Sequence, residues 1–145
     1  MKINNIFIFA VFFCIFNVNA ETIKLTSWVG KYPSDKIGNK SANEILSKNH
    51  LVKKILPTNE TKLIKSLITE DLVSQNGEYL LISKCKPHDC PNNHSLIIEK
   101  SNGDLWIGIY QNNGNSISTR WYGTTDYMDI PTPILKLFIR GHTPE

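Results

Sequence analysis

Residues 85–90 read Cys-Lys-Pro-His-Asp-Cys. Two cysteines five positions apart, with His88 and Asp89 between them, suit three chemistries: a disulfide-closed loop, a thiolate–imidazole metal site, or a redox pair. The compartment decides among them, and the N-terminus speaks to the compartment. Lys2 precedes an unbroken apolar run from Ile6 to Phe16, and Val18-Asn19-Ala20 ends on a small residue. This is the tripartite pattern of a secretory signal peptide, cleaved after residue 20. The apolar run falls well short of the roughly 20 residues a membrane span needs. The expectation is an exported chain in which residues 1–20 are removed and 21–145 form a single domain without a membrane anchor.

Cys14 leaves with the signal, so Cys85 and Cys90 remain as an even pair in an oxidising compartment, where a disulfide is expected. Zinc is the competing reading, because Cys85, His88, Cys90 and His94 form C-x2-H-x-C-x3-H. That spacing matches no standard zinc module, and export favours the disulfide; no metal or cofactor is expected. A redox role is weaker, since four residues rather than two separate the cysteines.

Enzymatic signals are absent from the sequence. His88 and Asp89 are adjacent and cannot by themselves make a base and its orienting partner, and no Gly-x-Ser-x-Gly elbow occurs. Asp126 and Asp129 read as a solvated turn, and His50 and His142 as surface residues near helix ends. The formal charge of +3, lowered by one when Lys2 departs, is too weak and scattered to indicate nucleic acid or an anionic membrane. The protein is therefore expected to bind rather than to catalyse.

A bridge between Cys85 and Cys90 closes so short a ring that loop entropy supplies only about 2 kcal/mol. Its main effect is to freeze local shape. Pro87 fixes one more dihedral, and the result is a stiff knuckle with His88 at or near its tip.

The elements around the loop change character near residue 70. Upstream the pattern is helical: Ser41 and Glu44 make a capping box before EILSKN, and Leu63, Ile64, Leu67 and Ile68 form one stripe in ETKLIKSLI. Pro57 and Thr58 mark a break between them. Trp28 and Val29 suggest a short helix start. Downstream the runs DLVSQ, EYLLISKC, SLIIEK, DLWIGIYQ and ISTRWYG read as strands, divided by Asn76-Gly77, by the loop itself, by Asn102-Gly103 and by NNGN. Ile134, Leu135, Phe138 and Ile139 place a helix at the C-terminus. The middle strands are apolar on both parities, so the sheet is expected to be covered on both faces. The fold class is α+β: a five-stranded antiparallel meander between helices, in three layers.

An exported chain of this size, with CKPHDC between the second and third strands of such a meander, resembles the Ivy family, the bacterial inhibitors of vertebrate (C-type) lysozyme. The hexapeptide matches at Cys85, Lys86, Pro87, His88, Asp89 and Cys90; outside the loop the agreement is in outline, and the N-terminal third matches loosely. The resemblance implies that this loop plugs the lysozyme cleft and that His88 contacts the two catalytic carboxylates. It further implies that Cys85, Cys90 and Pro87 hold the shape and that Lys86 forms the rim. Asp89 is left as either a second contact or a brace. It also implies a periplasmic location and a lysozyme partner, with a homodimer left open. Two alternatives stand beside it: an Ivy-like module acting on another muramidase or lytic enzyme, and a zinc or redox module.

Overall fold

The computed structural model describes residues 24–140; the signal-peptide expectation and His142 lie outside them. The chain opens with a short 3-10 helix, Leu25–Trp28, whose Trp28 is fully buried and whose indole N–H donates to the Asp35 carbonyl at 2.7 Å. A two-stranded hairpin follows, β1 (Lys36–Ile37) with β2 (Lys40–Ser41). The capping box then forms as expected. The Glu44 N–H donates to the Ser41 hydroxyl, and the Ser41 N–H donates to the Glu44 carboxylate, starting α1 (Ala42–Lys48). A helix that the sequence reading missed comes next, α2 (His50–Ile55). The Asn49 side chain caps it by accepting from Leu51 N–H at 2.8 Å. Helix α3 (Thr58–Ser66) begins directly after Pro57.

The expected stripe on α3 stops early. Leu67 is its C-cap and is buried, whereas Ile68 lies beyond the helix with 70% of its surface exposed. The chain has already turned toward strand β3 (Thr69–Glu70), so these two residues no longer share a helical face.

The main sheet holds six strands rather than the expected five. All five anticipated runs are present: β4 (Ser74–Asn76), β5 (Tyr79–Cys85), β6 (Asn93–Lys100), β7 (Leu105–Asn112) and β8 (Ile117–Gly123). The sixth is β3, which pairs with the far end of β5, Thr69 opposite Cys85, while β4 pairs with its near end. The edge is split because the backbone of the buried Val73 turns away from β5. Its N–H donates to the Lys31 carbonyl and its carbonyl accepts from Gly30 N–H, both at 2.8 Å. Glu70 secures the detached piece, accepting from the Asn43 side chain at 2.6 Å and from Ser34 N–H at 3.0 Å, with Lys84 at 3.2 Å. The Asn76-Gly77 turn also sits one residue later than read: Asn76 still pairs with Tyr79, so Gly77 and Glu78 make the reversal.

Layering follows from strand parity, because alternate residues face opposite sides. Leu80, Ile82, Ile97 and Ile107 face α1–α3 with Trp28 and Leu46. Leu81, Leu96, Ile98 and Trp106 face helix α4 (Thr132–Arg140) through Ile134 and Phe138. Burying one such side chain contributes about 1.5–3 kcal/mol, so the doubly covered β5–β7 is the rigid base. Gly108 allows α4 to come close: a Cβ there would lie 2.7 Å from the Trp121 ring and 2.9 Å from Phe138. Ile139, counted in the apolar stripe of α4, is instead 66% exposed.

Candidate functional site

The β5–β6 connection lies at the end of this base. Cys85 closes β5, is buried, and is bonded to Cys90 with their Cα atoms 4.8 Å apart. Within the ring the Asp89 N–H donates to the Lys86 carbonyl at 3.0 Å, a four-residue turn with Pro87 second and His88 third. His88 has φ +61° and is the only non-glycine residue among those described with a positive φ. Proline followed by a left-handed residue is the signature of a type II turn, whose third position usually carries glycine. Placing an L-residue there costs about 1–2 kcal/mol, sustained only because the surroundings over-determine the conformation. The imidazole is exposed at the tip.

Asp89 faces inward on the loop. Its carboxylate accepts from the Asn92 side-chain amide at 2.9 Å and from the Asn93 amide, with the Lys86 ammonium at 3.6 Å. Its main-chain carbonyl accepts from Asn92 and Asn93 N–H at 3.0 and 2.9 Å. The hydrogen bonds from Asn92 and then Asn93, followed by the charge of Lys86, hold this carboxyl below its ordinary value. Both carboxylate oxygens are thus engaged within the loop. In the unbound protein this is the brace of the two roles left open by the sequence.

His94 sits beneath the loop, 3% exposed. One ring nitrogen, Nδ1, lies 3.0 Å from the Cys90 carbonyl, and the other, Nε2, lies 2.6 Å from the Phe138 carbonyl near the end of α4. The ring stacks on Tyr110 with centroids 4.7 Å apart. A carbonyl in the last turn of a helix lacks an intrahelical partner, and His94 meets it. The four residues of the zinc reading are therefore not assembled. Both sulfurs are in the disulfide, His94 is turned to carbonyls, and His88 points to solvent. Among the described residues no group of three or more potential ligands converges. The role of His94 was not legible beforehand because it depends on a helix 44 residues away.

The wall beside the loop is built by the β7–β8 turn. Asn112 N–H donates to the Asn92 carbonyl at 2.7 Å, and Lys86, Asn92, Asn93, Asn112 and Asn113 line an open polar concavity. Asp126 and Asp129 are exposed, as expected, with Asp126 capping the 3-10 helix Tyr127–Asp129. His50 is exposed at the start of α2. No described helix is long and apolar enough to cross a membrane.

Residues 50–137, more than half the chain and including the whole loop, match the family model described as Inhibitor of vertebrate lysozyme (Ivy). The chain matches no curated protein and no solved structure.

Proposed function

The chain belongs to the Ivy family, inhibitors of vertebrate lysozyme, and from that premise we propose that it inhibits a C-type lysozyme by seating the Cys85–Cys90 loop in the substrate cleft, with His88 against the two catalytic carboxylates. The observation that carries this reading is His88 itself, a histidine held at the loop tip in a backbone conformation that glycine would adopt more easily. Glycosidases of this class place two carboxyl groups on either side of the scissile bond, one ionised and one acting as acid. A neutral imidazole donates from one nitrogen and accepts at the other, and an imidazolium donates from both. Either form fits between two carboxyl groups better than a lysine point charge or a single hydroxyl.

The disulfide, the Lys86–Asp89 turn and the Asp89 brace are all in place before binding, so little ordering entropy is lost on docking. Lys86 remains at the rim, 60% exposed. The weak net charge supplies no bulk attraction to a basic enzyme, so affinity rests on the shaped plug and its local polar contacts. With residues 1–20 acting as an export signal, the protein works in the periplasm and shields peptidoglycan from an incoming lysozyme.

Turbidity clearing of bacterial cell walls by a C-type lysozyme tests the reading, with and without the oxidised protein and beside His88→Ala. Inhibition that disappears in the variant is the expected result. A folded, disulfide-bonded protein that leaves clearing unaffected would transfer the loop to another muramidase.

A further inference from the structure

His94 supports the loop from the α4 face of the sheet. A separate line of polar side chains reaches it from the opposite face and starts at a buried charge. Glu60 of α3 is only 5% exposed. Arg120 of β8 grips it through both carboxylate oxygens, Nε to Oε1 at 2.7 Å and Nη2 to Oε2 at 3.2 Å, and Tyr122 donates to Oε1 at 3.2 Å. The same Nη2 also donates to Oε1 of Gln111 at 2.7 Å. From Gln111 the line runs to its ladder partner on β6, Asn93: the Gln111 amide nitrogen lies 3.5 Å from the Asn93 side-chain oxygen. Asn93 then donates to the Asp89 carboxylate inside the loop.

The direction of this chain is fixed by its ends. A guanidinium only donates and a carboxylate only accepts. With Arg120 at one end, Gln111 must turn its oxygen to the arginine and its nitrogen to Asn93. With Asp89 at the other end, Asn93 must turn its nitrogen to the loop and its oxygen back to Gln111. The two amides therefore have one consistent orientation, and reversing either sets oxygen against oxygen. We propose that Gln111 is a positioning residue for the loop, transmitting the Glu60–Arg120 ion pair through Asn93 to Asp89 and so fixing the angle at which His88 is presented.

The effect on loop order stands on geometry alone, and only the effect on inhibition rests on the function proposed above. The informative variant is Gln111→Glu, which keeps an acceptor for Arg120 but removes the donor facing Asn93. Thermal stability should hold or rise through the added charge beside the guanidinium. Meanwhile the Asp89, Asn92 and Asn93 amide protons exchange about tenfold faster by NMR, and lysozyme inhibition weakens about threefold through faster dissociation. Gln111→Met, which adds no charge, should also speed loop exchange and raise the Asp89 titration midpoint as the Asn93 amide is released. Stability and loop order moving in opposite directions in Gln111→Glu is something a merely structural residue does not produce. Wild-type loop exchange and an unmoved Asp89 midpoint in both folded variants would overturn the proposal. Normal loop coupling in a protein that fails to inhibit lysozyme would overturn the functional reading alone.

Discussion

Two kinds of chain reversal join the strands of the main sheet. At one end, the turns after β4 and β6 place their left-handed residue on glycine, Gly77 at φ +60° and Gly103 at φ +94°. Nothing lies within 4 Å of where a Cβ would stand at either position, so the glycines answer a backbone requirement and not a packing one. At the other end, the turn inside CKPHDC gives the same conformation to His88 at φ +61°. Where reversal is the only task, the residue without a side chain takes the left-handed position. At residue 88 a side chain stays there despite the strain and is exposed as well, as a residue presented to a partner in the way proposed above would require. The supports follow the same division. The Asn102–Gly103 turn is held by hydrogen bonds such as Gly103 N–H to the Lys100 carbonyl and Asp104 N–H to the Asn102 side chain, whereas the loop adds a disulfide, a carboxylate brace and His94 beneath it.

His88→Gly breaks that contrast most severely. It should reduce inhibition about 100-fold, as expected for a central contact residue, while raising stability by about 1 kcal/mol as the strain is released. Turbidity clearing and urea unfolding read the two quantities, and retained inhibition would remove the functional meaning of the strained position. Replacing both cysteines, Cys85→Ser with Cys90→Ser, should cost about 2 kcal/mol of stability and weaken inhibition as the knuckle loosens, measured by the same pair of assays. Gly77→Ala is the mirror of the first variant. It should cost about 1 kcal/mol and leave inhibition unchanged, and a loss of inhibition would show that the two ends are not independent.

The smallest effect concerns pH. Hydrogen bonds from Asn92 and Asn93, with the Lys86 charge, depress the Asp89 carboxyl below its ordinary value of 3.8. A depressed folded-state value contributes stability that is complete above the unfolded value and is lost as pH falls through the folded one. The brace should therefore persist from neutrality down to about pH 4. The side-chain amide resonances of Asn92 and Asn93 should stay constant over that range and move only below it. Movement between pH 5 and 7 would mean that the loop is held by something other than Asp89.

Features whose causes lie a few residues apart were legible in the sequence. The Ser41–Glu44 capping box, the five strand runs and their order, the Cys85–Cys90 ring and the exposed histidine between Pro87 and Asp89 all rest on local spacing or on period-two alternation. Coverage of both sheet faces was legible too, because β5, β6 and β7 are apolar on both parities. Where distant segments meet depends on long-range packing. The sheet edge is split because Val73 bonds to residues 30 and 31 instead of continuing along β5. Glu60 opens the helical run ETKLIKSLI outside its apolar stripe, yet it is buried because Arg120 and Tyr122 arrive from β8. His94 entered the sequence reading only as the fourth member of a disfavoured zinc set, and the fold makes it a support between the loop and α4. A hydrogen-bonding side chain declares its chemistry in the sequence, but its partner is chosen by the fold, since the desolvated group must be met by whichever complementary group packing brings within reach.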